Sequence, residues 1–182
     1  MPKSVGPRMR SSWRSRLPIM QAGDQMTTPE TEGYIVCLRD LRDEMLKHIA
    51  ALDPVALNWK PPAGDTNSIY VLATHVAGSE RYWMQQVVGG TDIMRDRPSE
   101  FVASGAEAAA LVHGIEEVGR QTESLLRSLD VADLRSRRGT PPHEHSVQWC
   151  ILHVIEHLSR HVGHVELTRQ LWEASRQPQP HE

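Results

Sequence analysis

Apolar residues recur every three or four positions over long stretches of this chain, which is the period of one face of an α-helix. The pattern covers residues 31–52, 67–90, 105–129 and 147–174, separated by loops rich in Pro, Gly and Asp. No strand-type alternation or internal repeat competes with it. Four long amphipathic segments without strands predict an all-α fold, and more specifically a four-helix bundle.

The length of 182 residues fits a single domain. Residues 1–28 contain several basic residues and helix-breaking prolines, so they predict a disordered basic tail. Contact of this tail with RNA or an acidic surface is an alternative, as is a true start at Met20 or Met26. We expect the bundle over residues 29–174 and a flexible tail over residues 175–182.

Charge, hydropathy and cysteine content exclude several classes of protein. A formal net charge of -3 gives no reason to expect a nucleic-acid partner, which favours a basic stripe. No apolar run approaches the roughly 18 to 20 residues that cross a bilayer, so no membrane partner is expected. Cys37 and Cys150 lie inside apolar helical patterns and are predicted to be free, buried thiols, which favours the reducing cytoplasm.

The last predicted helix carries four histidines on one face: His153, His157, His161 and His164. At about 100° per residue, they fall within an arc of roughly 80°. His157 and His161 are one turn apart, a spacing by which a helix offers two imidazoles to one metal ion. A third ligand from a facing helix would complete such a site, and His75, on the apolar side of the second predicted helix, is the candidate.

Each histidine also has a structural interpretation. A lone buried histidine is more often a hydrogen-bonded core residue than a ligand, and an i, i+4 pair is more often solvated or at an interface. Four imidazoles on a face with apolar neighbours are harder to explain in this way, because burying them without partners costs a few kcal/mol. The pattern alone leaves both interpretations open.

Several stretches resemble the DinB/YfiT-like superfamily. Residues 67–69 (NSI) with 74–83 (THVAGSERYW) are similar to its second-helix signature, and residues 153–164 (HVIEHLSRHVGH) are similar to its last-helix motif. Residues 59–61 (WKP) and 95–101 resemble its loops, and the likeness covers about residues 30–171. One departure is that Val162 and His164 replace polar residues often found around the motif glycine.

The resemblance implies a four-helix bundle of the up-up-down-down type, often a homodimer, that binds one divalent metal ion through His75, His157 and His161. It places His153 and His164 beside the site, as candidate catalytic residues that shuttle protons or as groups that support the ligands. Three imidazole ligands leave a coordination position open. They suit zinc, the first choice here, as well as nickel or iron.

The superfamily includes thiol-dependent S-transferases and a maleylpyruvate isomerase. The resemblance therefore implies a metal-dependent enzyme that activates a low-molecular-weight thiol for attack on an electrophile, with Tyr82 and Trp83 as walls of the substrate pocket near His75. The alternatives are a metal-dependent hydrolase, a non-enzymatic metal-binding dimer associated with stress, and a bundle without metal. Glu156 and Arg160 are predicted to form a surface ion pair.

Overall fold

The computed structural model describes residues 27–141 and 144–177. In chain order the elements are α1 (Pro29–Ile49), α2 (Pro54–Asn58), α3 (Ile69–Arg81) with a π-helical continuation (Tyr82–Val88), α4 (Arg97–Glu100), α5 (Ala108–Arg127), α6 (Val131–Arg135), β1 (Arg137–Arg138), β2 (His145–Ser146) and α7 (Val147–Ser175). Helix α1 packs against α5 and α7, and α3 packs against the same two helices. Helices α1 and α3 therefore occupy opposite corners, and the predicted all-α four-helix bundle is confirmed.

Hydroxyl side chains begin three of the four bundle helices. Thr28 accepts a hydrogen bond from the backbone N–H of Thr31 at the start of α1. Ser68 does the same for α3, and Ser146 for α7. Each cap satisfies an amide that the first turn of a helix leaves without a partner.

Aliphatic side chains of all four bundle helices fill the core. Most of the positions that carry the helical period in the sequence are buried, including Leu38, Met45, Ile49, Leu72, Ile115, Leu126, Val154 and Leu158. Their burial fixes which face of each helix points inward. It thereby determines which side chains of α3 and α7 can meet at the edge of the core.

A buried ion pair crosses the bundle between α1 and α3. Arg42 Nη1 donates to Glu80 Oε1 at 2.8 Å, and both side chains are almost fully buried. Arg42 Nη2 also reaches Glu123 Oε1 on α5 at 3.1 Å. Gly119 leaves the necessary space, since a Cβ there would lie 2.6 Å from Arg42 Nε. The pair links three helices through one guanidinium.

Asp53 and Pro54 follow the first long helix and begin a short helix, α2, that the periodicity of the sequence does not predict. Helix α1 ends at Ile49, but the Asp53 carboxylate accepts from the backbone N–H of Ala56 at 2.8 Å and caps α2. Pro54 is the first residue of that helix, where its missing N–H costs nothing. Asp53 and Pro54 together therefore define the start of α2.

The third long helix is predicted from Gly105, but α5 begins three residues later at Ala108. Gly105 exchanges two hydrogen bonds with the Asn58 side chain, at 2.8 and 3.2 Å. A Cβ at Gly105 would also lie 2.4 Å from the Tyr70 hydroxyl. These contacts hold the backbone of Gly105 against α2 and α3, outside the helix.

Two further predictions need correction. Strands β1 and β2 pair antiparallel, but at two residues each they are too short for alternation to be visible in the sequence. Cys37 is exposed, because its neighbours Ile35 and Leu38 take the inward positions of α1. Cys150 is buried as predicted, and burial raises the pKa of its thiol to about 11.

Predictions for the two termini lie largely outside the described residues, namely those for residues 1–26, with Met20 and Met26, and for residues 178–182. Within the described part of the chain, no helix combines the length and apolar character needed to cross a bilayer.

Candidate metal centre

Three histidines from two helices converge at one edge of the core. His75 lies on α3, and His157 and His161 lie one turn apart on α7. Each offers a ring nitrogen, and these three atoms all lie within 4.8 Å of one another. His75 Nε2 and His157 Nε2 are 3.2 Å apart. The structure therefore brings together the three residues that the sequence singled out as ligands.

Local packing explains why the rings meet. Helices α3 and α7 are in direct contact, and Val154, Leu158 and Val162 of α7 point into the core. His157 and His161 each lie one position before a buried residue, so they fall at the edge of the interface and are half-buried. His75 comes from the buried face of α3 and is itself buried. The three rings therefore lie where the core meets the surface.

A buried carboxylate fixes the orientation of His75. His75 Nδ1 lies 2.8 Å from Glu100 Oε2, which leaves Nε2 directed at His157. Arg95 donates to both oxygens of Glu100, from Nε at 2.7 Å and from Nη2 at 2.9 Å. Burial alone raises the pKa of Glu100, but the hydrogen bonds from Arg95 and His75 outweigh it, so that the pKa is lowered.

The Glu100 carboxylate can occupy this position because the residue one turn beyond His75 is Gly78. A Cβ on Gly78 would lie 2.3 Å from Glu100 Oε1, so a larger residue would displace the carboxylate. Sequence reasoning missed this role, since residues 95–101 were noted only for their resemblance to family loops. Gly78 itself was the signal in the sequence, because a glycine inside an apolar helix can indicate that another group approaches the backbone closely.

The histidines of α7 are held in the neutral form that a metal requires. Burial, followed by the charges of nearby histidines, lowers the pKa of His157 to about 4 and that of His161 to about 3. Near pH 7 both rings therefore present a free lone pair. No proton has to be displaced before an ion can bind.

This donor set fits a divalent ion. Two ligand nitrogens of a tetrahedral zinc, each about 2.0 to 2.1 Å from the ion, lie about 3.3 Å apart, close to the separation of His75 and His157. A carboxylate on the remote nitrogen of a ligand histidine is the usual supporting partner in such sites, and Glu100 has that position. His75, His157 and His161 could therefore hold a metal ion.

A cavity of about 560 Å³ opens onto these histidines. His75 and His157 form part of its lining, with the side chains of Tyr82 and Trp83 beside them. These two aromatic residues begin the π-helical segment, and such segments are frequent at functional sites. The two predicted wall residues thus do line a cavity beside His75.

His153 and His164 lie in different surroundings. His153 lines the cavity, stacks on Trp149 and packs edge-on against Trp83. Burial lowers the pKa of His153, so this ring is neutral near pH 7. His164 lies outside the cavity lining, and its Nδ1 is 3.4 Å from His161 Nδ1. His164 thus contacts a candidate ligand, whereas His153 faces the space where a substrate would bind.

The ion pair predicted on the outer surface of α7 is also confirmed. Arg160 donates to Glu156 one turn away, and both side chains are exposed. Exposed pairs of this kind stabilise a helix by only a few tenths of a kcal/mol. The pair therefore belongs to the solvated face of α7, apart from the histidines.

Several solved structures share the architecture of this chain. A conserved protein from Enterococcus faecalis superposes with a TM-score of 0.67 at 18% identity, covering 79% of this chain and 97% of that one. DinB-like proteins from Bacillus cereus and Bacillus subtilis give TM-scores of 0.64 and 0.56 at 14% and 15% identity, covering 82% and 84% of this chain and 97% and 96% of theirs. The fold is that of the DinB-like proteins.

The family assignment is more specific than the fold. A family model described as Mycothiol-S-transferase matches residues 35–174, which include the three converging histidines. The chain therefore belongs to the mycothiol S-transferase family of DinB-like proteins. No curated protein matches the sequence at a significant level.

Proposed function

We propose that this chain is a metal-dependent S-transferase that activates mycothiol, or a closely similar small thiol, for transfer to an electrophile. The observation that carries the proposal is the convergence of three imidazoles beside a cavity, in a member of the mycothiol S-transferase family. His75, His157 and His161 would be the ligands of one divalent ion. Zinc is the first choice, with nickel and iron as alternatives.

Such an ion, when bound, lowers the pKa of a thiol so that the nucleophilic thiolate is present at neutral pH. The residues of the chain supply the rest. Glu100 and Arg95 hold His75 in the tautomer that leaves Nε2 free. The cavity admits the thiol and the electrophile to the same space, with the rings of Tyr82 and Trp83 along its wall.

His153 is the proposed proton carrier. It lines the cavity, and burial keeps it neutral near pH 7, so a ring nitrogen can accept the proton that the thiol loses. In the transfer itself a sulfur–carbon bond forms and the bond to the leaving group breaks, with its electron pair departing on that group. The proton on His153 then returns to solvent or to the leaving group.

The test measures thiol consumption with mycothiol and a panel of alkyl chlorides, using protein loaded with one equivalent of zinc. Cys37→Ser serves as the background, so that the exposed protein thiol does not react. We expect saturable turnover above the uncatalysed rate, lost on removal of the metal. His153→Gln should lower kcat by roughly 100-fold, as removal of a proton carrier typically does, while zinc stays bound. Zinc-loaded protein that does not accelerate the reaction with any electrophile of the panel would contradict the proposal.

A further inference from the structure

The charge of the cavity identifies a property of the second substrate. Among the described residues that line it there is no carboxylate, while Arg95 and Arg97 contribute two guanidinium groups. Arg95 is neutralised by its two hydrogen bonds to Glu100. Arg97 has no carboxylate oxygen within the 4.0 Å of an ion pair anywhere in residues 27–141 and 144–177. The cavity therefore presents one positive charge without a partner.

The Arg97 side chain is exposed at the edge of the cavity, and an aromatic contact places its charge near the histidines. The Arg97 guanidinium lies over the ring of Phe101, with its carbon 4.8 Å from the ring centroid. The Phe101 ring in turn packs 4.8 Å from the His75 ring. Phe101 thus lies between Arg97 and the proposed ligand His75. The nearest acidic residue in sequence, Asp96, accepts from the Ser99 backbone N–H and caps α4.

Mycothiol, the thiol in the description of the family, does not supply the partner of this guanidinium. Mycothiol carries no ionised group apart from the thiol itself, and the proposed metal would take up that charge. A guanidinium recognises a carboxylate through paired hydrogen bonds, and such charge-assisted bonds are the strong ones. An anionic group on the electrophile would supply that partner.

We propose that Arg97 binds a carboxylate of the electrophilic substrate and so selects anionic over neutral electrophiles. This inference rests on the proposed function in one respect, namely that the ligand is the electrophile of the transfer reaction. The position of Arg97 in the cavity does not depend on that function. The carboxylate would lie at the Arg97 end of the cavity, with the rest of the molecule along Tyr82 and Trp83 towards the histidines. Arg97 is then a determinant of specificity, and the metal ligands do not depend on it.

A binding measurement that needs no turnover tests the inference. We compare 3-phenylpropionate with its neutral amide by NMR titration of the zinc-loaded protein, because the phenyl ring suits the aromatic wall. We expect the wild type to prefer the acid. Arg97→Gln should lower that preference by roughly tenfold or more, while affinity for the amide is unchanged. Arg97→Lys should restore part of it, and Arg176→Gln, which removes another arginine that lies over an aromatic ring, should have no effect.

The outcomes separate this inference from the proposed function. If Arg97→Gln prefers the acid as strongly as the wild type does, or if neither probe binds, Arg97 does not recognise a carboxylate and the inference is wrong. If the preference depends on Arg97 but no thiol is consumed in the turnover assay, the anion site stands and the transferase proposal fails. An arginine with only a structural role would change the affinities for acid and amide equally.

Discussion

His157→Ala is expected to weaken zinc binding by roughly 100- to 1000-fold. Structural zinc sites bind with about 10 to 16 kcal/mol from four ligands, so one ligand accounts for about 2.5 to 4 kcal/mol. His161→Ala should have a similar effect, because each variant removes one of three proposed ligands. Competition with a chromophoric chelator measures the change in Kd.

The measurement belongs at about pH 7.5, where His157 and His161 are neutral in the folded chain and histidines are mostly neutral in the unfolded chain. The lowered pKa values of His157 and His161 mean that the unfolded chain takes up protons below about pH 6.5 while the folded chain does not. Folding stability therefore falls with acidification until the pH reaches the folded-state values. At the higher pH, loss of metal in a variant reports ligation rather than unfolding.

The matched control for these variants is His153→Ala, one turn from His157 on the same face of α7. It lines the cavity but is not among the three converging histidines, so the variant should bind zinc with nearly unchanged affinity. His113→Ala, on α5, should leave the affinity for zinc unchanged as well. Loss of the ion in His153→Ala together with its retention in His161→Ala would show that His153, and not His161, is a metal ligand.

Arg42→Met should lower the free energy of unfolding by about 3 to 5 kcal/mol. It removes the cation that faces Glu80 and leaves a buried carboxylate without its partner. Burial raises the pKa of Glu80 against the opposing charge of Arg42, which indicates how unfavourable this position is for a carboxylate. Denaturant unfolding of the metal-free variants gives the values.

Two further variants define what the ion pair contributes. Arg39→Met removes an exposed arginine of the same helix that pairs with Glu123, and should cost less than about 1 kcal/mol. The double variant Arg42→Met/Glu80→Met removes both buried charges and should recover most of the stability lost in Arg42→Met. The losses of stability in Arg42→Met and Glu80→Met can be added together and compared with the loss in the double variant. A double variant that loses as much as this sum would contradict the explanation and would indicate a loss of packing instead.

Periodicity predicts the long helices well, because helix faces in a bundle are set by local spacing. The predicted segments 31–52 and 147–174 closely match α1 (Pro29–Ile49) and α7 (Val147–Ser175). The errors arise where long-range contacts override local signals. Gly105 is held out of α5 by the Asn58 side chain, which is 47 residues away in the chain.

The candidate site was predictable only for the side chains on regular helices. The i, i+4 spacing of His157 and His161 is visible in the sequence, and so is the place of His75 on an apolar face. Glu100 is 25 residues from His75 and lies on a four-residue helix, so no periodicity links the two. That Arg97 has no carboxylate partner among the described residues is visible only in the three-dimensional structure.

Other expectations stay predictions. They are the choice of zinc over nickel or iron, the homodimer, the cytoplasmic location and a catalytic role for His164. The last has the least support from geometry, because His164 contacts His161 and is not part of the cavity lining. If it acts, it does so by orienting the His161 ring.

The central claim is that imidazoles from α3 and α7 bind one ion together. A crystal structure of the zinc-loaded protein, with anomalous diffraction collected at the zinc edge, tests it most directly. We expect one strong anomalous peak about 2.0 to 2.1 Å from a ring nitrogen of each of His75, His157 and His161. A peak bound by the histidines of α7 alone, with His75 outside coordination distance, would contradict it.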